Sequence, residues 1–137
     1  MVIAVVTQKE ARVWAHGTAY GTHPETILPP DPKMDHAHAR TGNDDHMHHV
    51  DSGDPRFFER IAHAISGGGR LLLVGHGKGK GSEVDRFRKY LHDKYPRLSE
   101  NVVGTLHVNL EALTEAEVLS MSREWFEQQV KAGQISD

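Results

Sequence analysis

The sequence predicts an α/β fold in which a mixed five-stranded sheet is flanked by helices, and three observations carry that expectation. Two runs rich in valine and alanine stand two residues apart at the N-terminus, as an antiparallel hairpin requires. A wholly apolar run in mid-chain lies between glycine segments, the signature of a strand buried inside parallel pairing. Apolar stripes of helical period then alternate with the later strands. At 137 residues the chain has the length of one compact domain.

Taken in order, residues 2–7 form an almost continuous β-branched run suited to burial on both faces. Residues 10–16 alternate: Ala11, Val13 and Ala15 point one way, Glu10, Arg12, Trp14 and His16 the other. Between them Gln8 and Lys9 make the turn. A weaker strand within 20–28 contains Pro24, which assigns it to a sheet edge. Pro29, Pro30 and Pro32 then stiffen a connector. Residues 33–53 (KMDHAHARTGNDDHMHHVDSG) follow neither period and form a long loop before the first helix.

Asp54 caps that helix, Pro55 takes its first position, and Phe57, Phe58, Ile61, Ala62 and Ile65 form its apolar stripe. Gly67, Gly68 and Gly69 stop it. Residues 70–74 (RLLLV) read as a parallel strand and 75–81 as a glycine-rich turn. Ser82 with Asp85 has the spacing of a capping box, opening a helix on Val84, Phe87 and Leu91 that ends at Pro96. A strand at 102–108 follows, then a last helix capped by Thr114 and Glu117 and running to about Val130 on Val118, Met121, Ser122, Trp125 and Phe126. Right-handed crossovers place the later strands parallel to one another. In its order of elements this is an RNase H-like outline.

Composition removes several function classes. There is no cysteine, so disulfides, thiolate metal sites and cysteine nucleophiles are excluded, which suits a cytoplasmic protein. No apolar run approaches the roughly 20 residues of a membrane span, and no secretory leader pattern opens the chain. The net charge of −3 hides an uneven distribution. Residues 70–97 hold eight lysines and arginines against three acids, so polyanion binding is expected there.

Within that stretch GHGKGKGS (75–82) leaves a strand and opens a helix, where backbone N–H groups and a helix dipole favour phosphate. It is neither a Walker loop, since each Gly-Lys is followed by glycine, nor a dinucleotide fingerprint, since Lys80 replaces the third glycine. Phosphate of an RNA backbone remains a reasonable ligand, beside the plainer reading of a βα connection with solvated lysines. Gly75, Gly77 and Gly79 allow close approach, His76 stands among them, and Lys78, Lys80, Arg86 and Lys89 supply charge, the last two sharing a helix face with Asp93.

The other concentration of chemistry is in 33–53, where His36, His38, His46, His48 and His49 alternate with Asp35, Asp44 and Asp45. These are zinc and nickel ligand types, so a metal-binding protein or metal-dependent hydrolase is the alternative reading. Yet HExxH is absent, and HxHxDH breaks at Arg40 and Thr41. The expectation is accordingly no resident cofactor, only adventitious or weak zinc or nickel. No serine has a GxSxG frame, and neither VIAVVT nor RLLLVG carries the acid a two-metal nuclease would need. The residues favour binding over catalysis, and Trp14, Trp125 and Phe126 read as packing.

Three segments resemble one family. KEARVWAHG (9–17) is similar to its second-strand motif, LLLVGHGKGKGSEV (71–84) to its strand–glycine loop–helix motif, and NVVG with LTEAEVLSMSREWF (101–126) to its closing strand and helix. The family is the middle domain of the archaeal and eukaryotic class I peptide-chain release factor and Pelota. Its bacterial relatives include short translational-machinery or host-attachment-like proteins and the hibernation factor Balon. The resemblance covers most of residues 1–137 and implies an RNase H-like sheet working on the ribosome, with ribosomal RNA or tRNA as partner and no membrane. The family's release factor carries Gly-Gly-Gln in the loop before its first helix; here the histidine loop stands there without it. What the resemblance implies is therefore non-catalytic RNA binding in translation, of hibernation or rescue type.

Overall fold

Five consecutive apolar residues make β1 (Val2–Val6) the middle of the sheet, because a strand covered on both faces needs no polar alternation. The structure is a computed structural model and describes residues 1–15, 22–30, 53–77 and 82–135. In it β1 pairs antiparallel with β2 (Ala11–Trp14), which pairs antiparallel with the short edge strand β3 (Glu25–Ile27). On its other side β1 runs parallel to β4 (Leu71–His76), and β4 runs parallel to β5 (Val102–Val108). The order across the sheet is β3-β2-β1-β4-β5, mixed and open.

Two helices cover one face. α1 (Pro55–Ala64) and α2 (Glu83–Lys94) bring Phe57, Phe58, Ile61, Val84, Phe87 and Leu91 onto Val2, Ala4, Val6, Ala11, Val13 and Leu73. Phe58 links Phe87 and Tyr90 at ring-centroid distances of 5.3 and 5.4 Å, so the α1–α2 seam is aromatic. The other face carries Ile3, Val5, Trp14, Leu72 and Val74, covered by Val118 and Leu119 of the last helix. The expected alternation of β2 is thus realised, with Ala11 and Val13 on one face and Trp14 on the other.

Local chemistry sets the boundaries. Asp54 accepts the Arg56 N–H at 2.9 Å and Pro55 occupies the first turn, as expected. Pro96 does not simply end a helix; it opens the five-residue α3 (Pro96–Glu100). A first-turn residue has no intrahelical acceptor for an N–H, so proline loses nothing there. A 3₁₀ turn, Leu110–Ala112, precedes α4 (Glu115–Lys131). Thr114 and Glu117 form the complete capping box, with bonds of 3.1 and 2.8 Å.

Ser82 differs. It occupies the N-cap position of α2, but its side chain makes no cap bond, and Asp85 faces His107 instead of closing a box. The mid-chain strand is also longer than expected and begins one residue later: β5 runs beside it to Val108, which carries β4 as far as His76. Residues 33–52, with the five histidines proposed as metal ligands, lie outside the described residues, as do Lys78, Gly79 and Lys80.

Candidate functional site

β1 and β4 end side by side, with Val6 opposite Gly75. From there the chain departs in opposite directions: β1 turns back into β2, while β4 leads through α2 to β5. Such a parting leaves a crevice beyond the strand ends, the usual ligand position in open α/β sheets. A cavity of about 370 Å³ occupies it. Leu110, half-buried, supplies apolar wall, and Lys9, His76, Ser82 and Glu111 are among its polar lining.

Each of these is placed by local structure. The hairpin turn is held by Thr7 N–H to the Glu10 carbonyl at 3.0 Å, with the Thr7 hydroxyl accepting the Lys9 and Glu10 N–H groups at 3.2 Å. That fixes the backbone from which the Lys9 ammonium reaches the crevice. His76 Nδ1 accepts the Leu110 N–H at 3.0 Å. A neutral imidazole accepting at Nδ1 carries its proton on Nε2, so the other nitrogen of His76 is a donor. Gly77 follows at φ +73°, a conformation that favours glycine, and its N–H is taken by the Val108 carbonyl at 3.1 Å.

Gly75 has a different reason to be glycine. A Cβ there would lie 2.2 Å from Val84 Cγ1, so this position lets α2 sit directly on β4. Ser82 Oγ is buried and has no hydrogen-bond partner among the described residues. Glu83, also in the lining, is buried; it accepts the Gly53 N–H at 3.0 and 3.2 Å and pairs with Arg86 at 3.3 Å, tying the start of α2 to the start of α1.

The cationic face expected on α2 is therefore not a run of unpaired charges. Arg86 is engaged by Glu83, and Lys89 by Asp93 at 2.8 Å. The second pair holds the Asp93 carboxyl below its usual range and raises the Lys89 ammonium, in both cases through their hydrogen bond first. Arg88 donates to Thr105 Oγ1 at 2.9 Å, and Lys94 lies 3.6 Å from Glu59. Solvent and salt screen an exposed pair of this kind, so Lys89 can exchange Asp93 for another anion at little cost.

Two features were not foreseen from sequence. His107 Nε2 stands 3.0 and 3.2 Å from the Asp85 oxygens, and since a carboxylate only accepts, that nitrogen carries the proton. At the α1–α2 seam the Tyr90 hydroxyl donates to Glu59 at 2.6 Å, and the Tyr95 hydroxyl donates to the same carboxylate. Tyr90 is pushed up to about 12 by burial and by Glu59. Glu59 is held below the usual carboxylate range by Tyr90 and then Tyr95.

Among the described residues no group of three or more His, Asp or Glu side chains could hold a metal ion, and no helix is long and apolar enough to cross a membrane. Comparison with protein-family models, curated proteins and solved structures returns no match. The site's own chemistry is thus the basis for a functional reading.

Proposed function

We propose that this chain is a translation-associated protein that binds ribosomal RNA or tRNA without catalysing a reaction, in the manner of a hibernation or rescue factor, on an RNase H-like scaffold. One observation carries the reading: the glycine-rich exit of β4 opens beside a crevice at the point where β1 and β4 send the chain in opposite directions. The sheet order β3-β2-β1-β4-β5, an antiparallel meander joined to parallel βαβ units, supports the scaffold and agrees with the resemblance of 9–17, 71–84 and 101–126 to the release-factor middle domain.

Phosphate recognition falls to side chains at this exit. Lys9 lines the crevice, and Lys78 and Lys80 follow Gly77 in the chain. The first turn of α2 already carries Glu83 and Asp85, which complement the helix dipole, so the lysines outweigh the helix terminus as anion contacts. Lys89 contributes by exchanging Asp93 for phosphate, whereas Arg86 adds positive charge while it stays on the buried Glu83. Contacts of this kind give salt-dependent affinity without reading sequence.

Co-sedimentation of the untagged protein with ribosomal subunits at low and high salt tests this. Association at low salt, reduced by high salt and by Lys78→Ala with Lys80→Ala, is the expected result. No association, or association indifferent to the double substitution, contradicts it.

A further inference from the structure

The cavity between β1, β4 and the 3₁₀ turn contains more than phosphate recognition needs. A bare anion would meet Glu111 as well as Lys9. A purely apolar ligand would strand the His76 donor, the lysine and Glu111. A sugar alone would leave the Leu110 wall uncovered. A flat heteroaromatic ring with donors and acceptors on its edge satisfies all of these at once.

We propose that the cavity receives one unstacked nucleobase of single-stranded RNA, a step that builds on the RNA-binding reading above. One face rests on Leu110, and its edge takes the Nε2–H of His76 and the Lys9 ammonium as donors and the Glu111 carboxylate as acceptor. Exposed single-stranded bases are recognised in this manner, on apolar surfaces with hydrogen bonds to their edges. The volume of about 370 Å³ lies at the small end of ligand cavities, about 300–1,000 Å³, as a single nucleoside requires.

One further fact favours this occupant. His76 is pre-set by Leu110, since the backbone N–H fixes both the ring and its tautomer before anything binds. Leu110 therefore supplies wall with its side chain and orientation with its backbone.

The test is an amide-resolved NMR titration of the full chain with GMP, AMP, ribose 5-phosphate and inorganic phosphate, joined to binding of a single-stranded oligoribonucleotide. The nucleotides are expected to shift Lys9, His76, Gly77 and Leu110, while ribose 5-phosphate and phosphate leave Leu110 in place. His76→Ala and Glu111→Ala should each weaken nucleotide binding about tenfold, the cost of one hydrogen bond involving a charged or fixed partner. Lys9→Ala, on an exposed turn, provides a third variant whose fold the same spectra verify.

Ribose 5-phosphate reproducing the Leu110 shift, or nucleotide shifts that map elsewhere, overturns the proposal. Oligonucleotide binding that His76→Ala and Glu111→Ala leave unchanged overturns it while the RNA-binding reading stands. Nucleotide shifts in the cavity with no oligonucleotide binding leave a mononucleotide site and refute RNA as the base's source.

Discussion

Two glycines show how single side-chain hydrogens decide packing here. At Gly75 a methyl group would overlap Val84, which is fully buried, and at Gly104 it would lie 2.6 Å from the Trp125 ring, which rests on that strand. Gly75→Ala is expected to lose about 1–3 kcal/mol in urea unfolding, the usual cost of overpacking; an unchanged midpoint would contradict the contact. Tyr90 makes a prediction in pH. Its pKa in the folded state, about 12, exceeds its ordinary value near 10, so the folded chain holds the proton longer than the unfolded one. That contribution is complete below pH 10 and disappears as pH rises to about 12. Stability of the native chain should therefore fall more steeply across this range than that of Tyr90→Phe, measured by denaturant unfolding at each pH. Parallel curves for the two proteins would refute the Tyr90–Glu59 bond.

At the scale of elements, caps separate two helices that look alike in sequence. Thr114 and Glu117 close their box, and Thr114→Ala should cost about 1 kcal/mol by thermal or chemical unfolding. Ser82 makes no cap bond, so Ser82→Ala should cost nothing measurable or stabilise slightly by removing a buried hydroxyl that has no partner among the described residues. Equal losses would contradict this difference. The contrast marks what the amino-acid pattern can express. Period and propensity made β1, the β1–β2 hairpin, the β3 edge, the α1 stripe and β5 legible, because each depends on neighbours in sequence. Asp85, on α2, could not be assigned that way: its carboxylate is taken by His107, twenty-two residues away on β5. The opening of α3 at Pro96 was missed because proline signals a helix end and a helix start equally well. Of the residues expected from sequence to bind phosphate, His76 lines the crevice, Gly75 lets α2 pack on β4, and Arg86 and Lys89 form ion pairs on α2. Lys9, Leu110 and Glu111 join the crevice only through the sheet order, which no local window contains.

For the molecule as a whole, topology concentrates chemistry at one end of the sheet. The parting of β1 and β4, the exit of β4 and the 3₁₀ turn after β5 all meet there, while the two helical layers shield the sheet faces. Pairing of Arg86 with Glu83 and of Lys89 with Asp93 partly neutralises the α2 face, so the proposed function gives Lys78 and Lys80 the larger share of phosphate contacts. The most direct measurement is the affinity for single-stranded RNA as a function of salt, for the native chain and for Lys78→Ala with Lys80→Ala. Each lysine that contacts phosphate contributes about 0.7 to the slope of log affinity against log salt for single strands. The native slope should therefore exceed that of the double variant by about 1.4; identical slopes, or no RNA affinity at low salt, would contradict a phosphate-gripping loop at the end of β4.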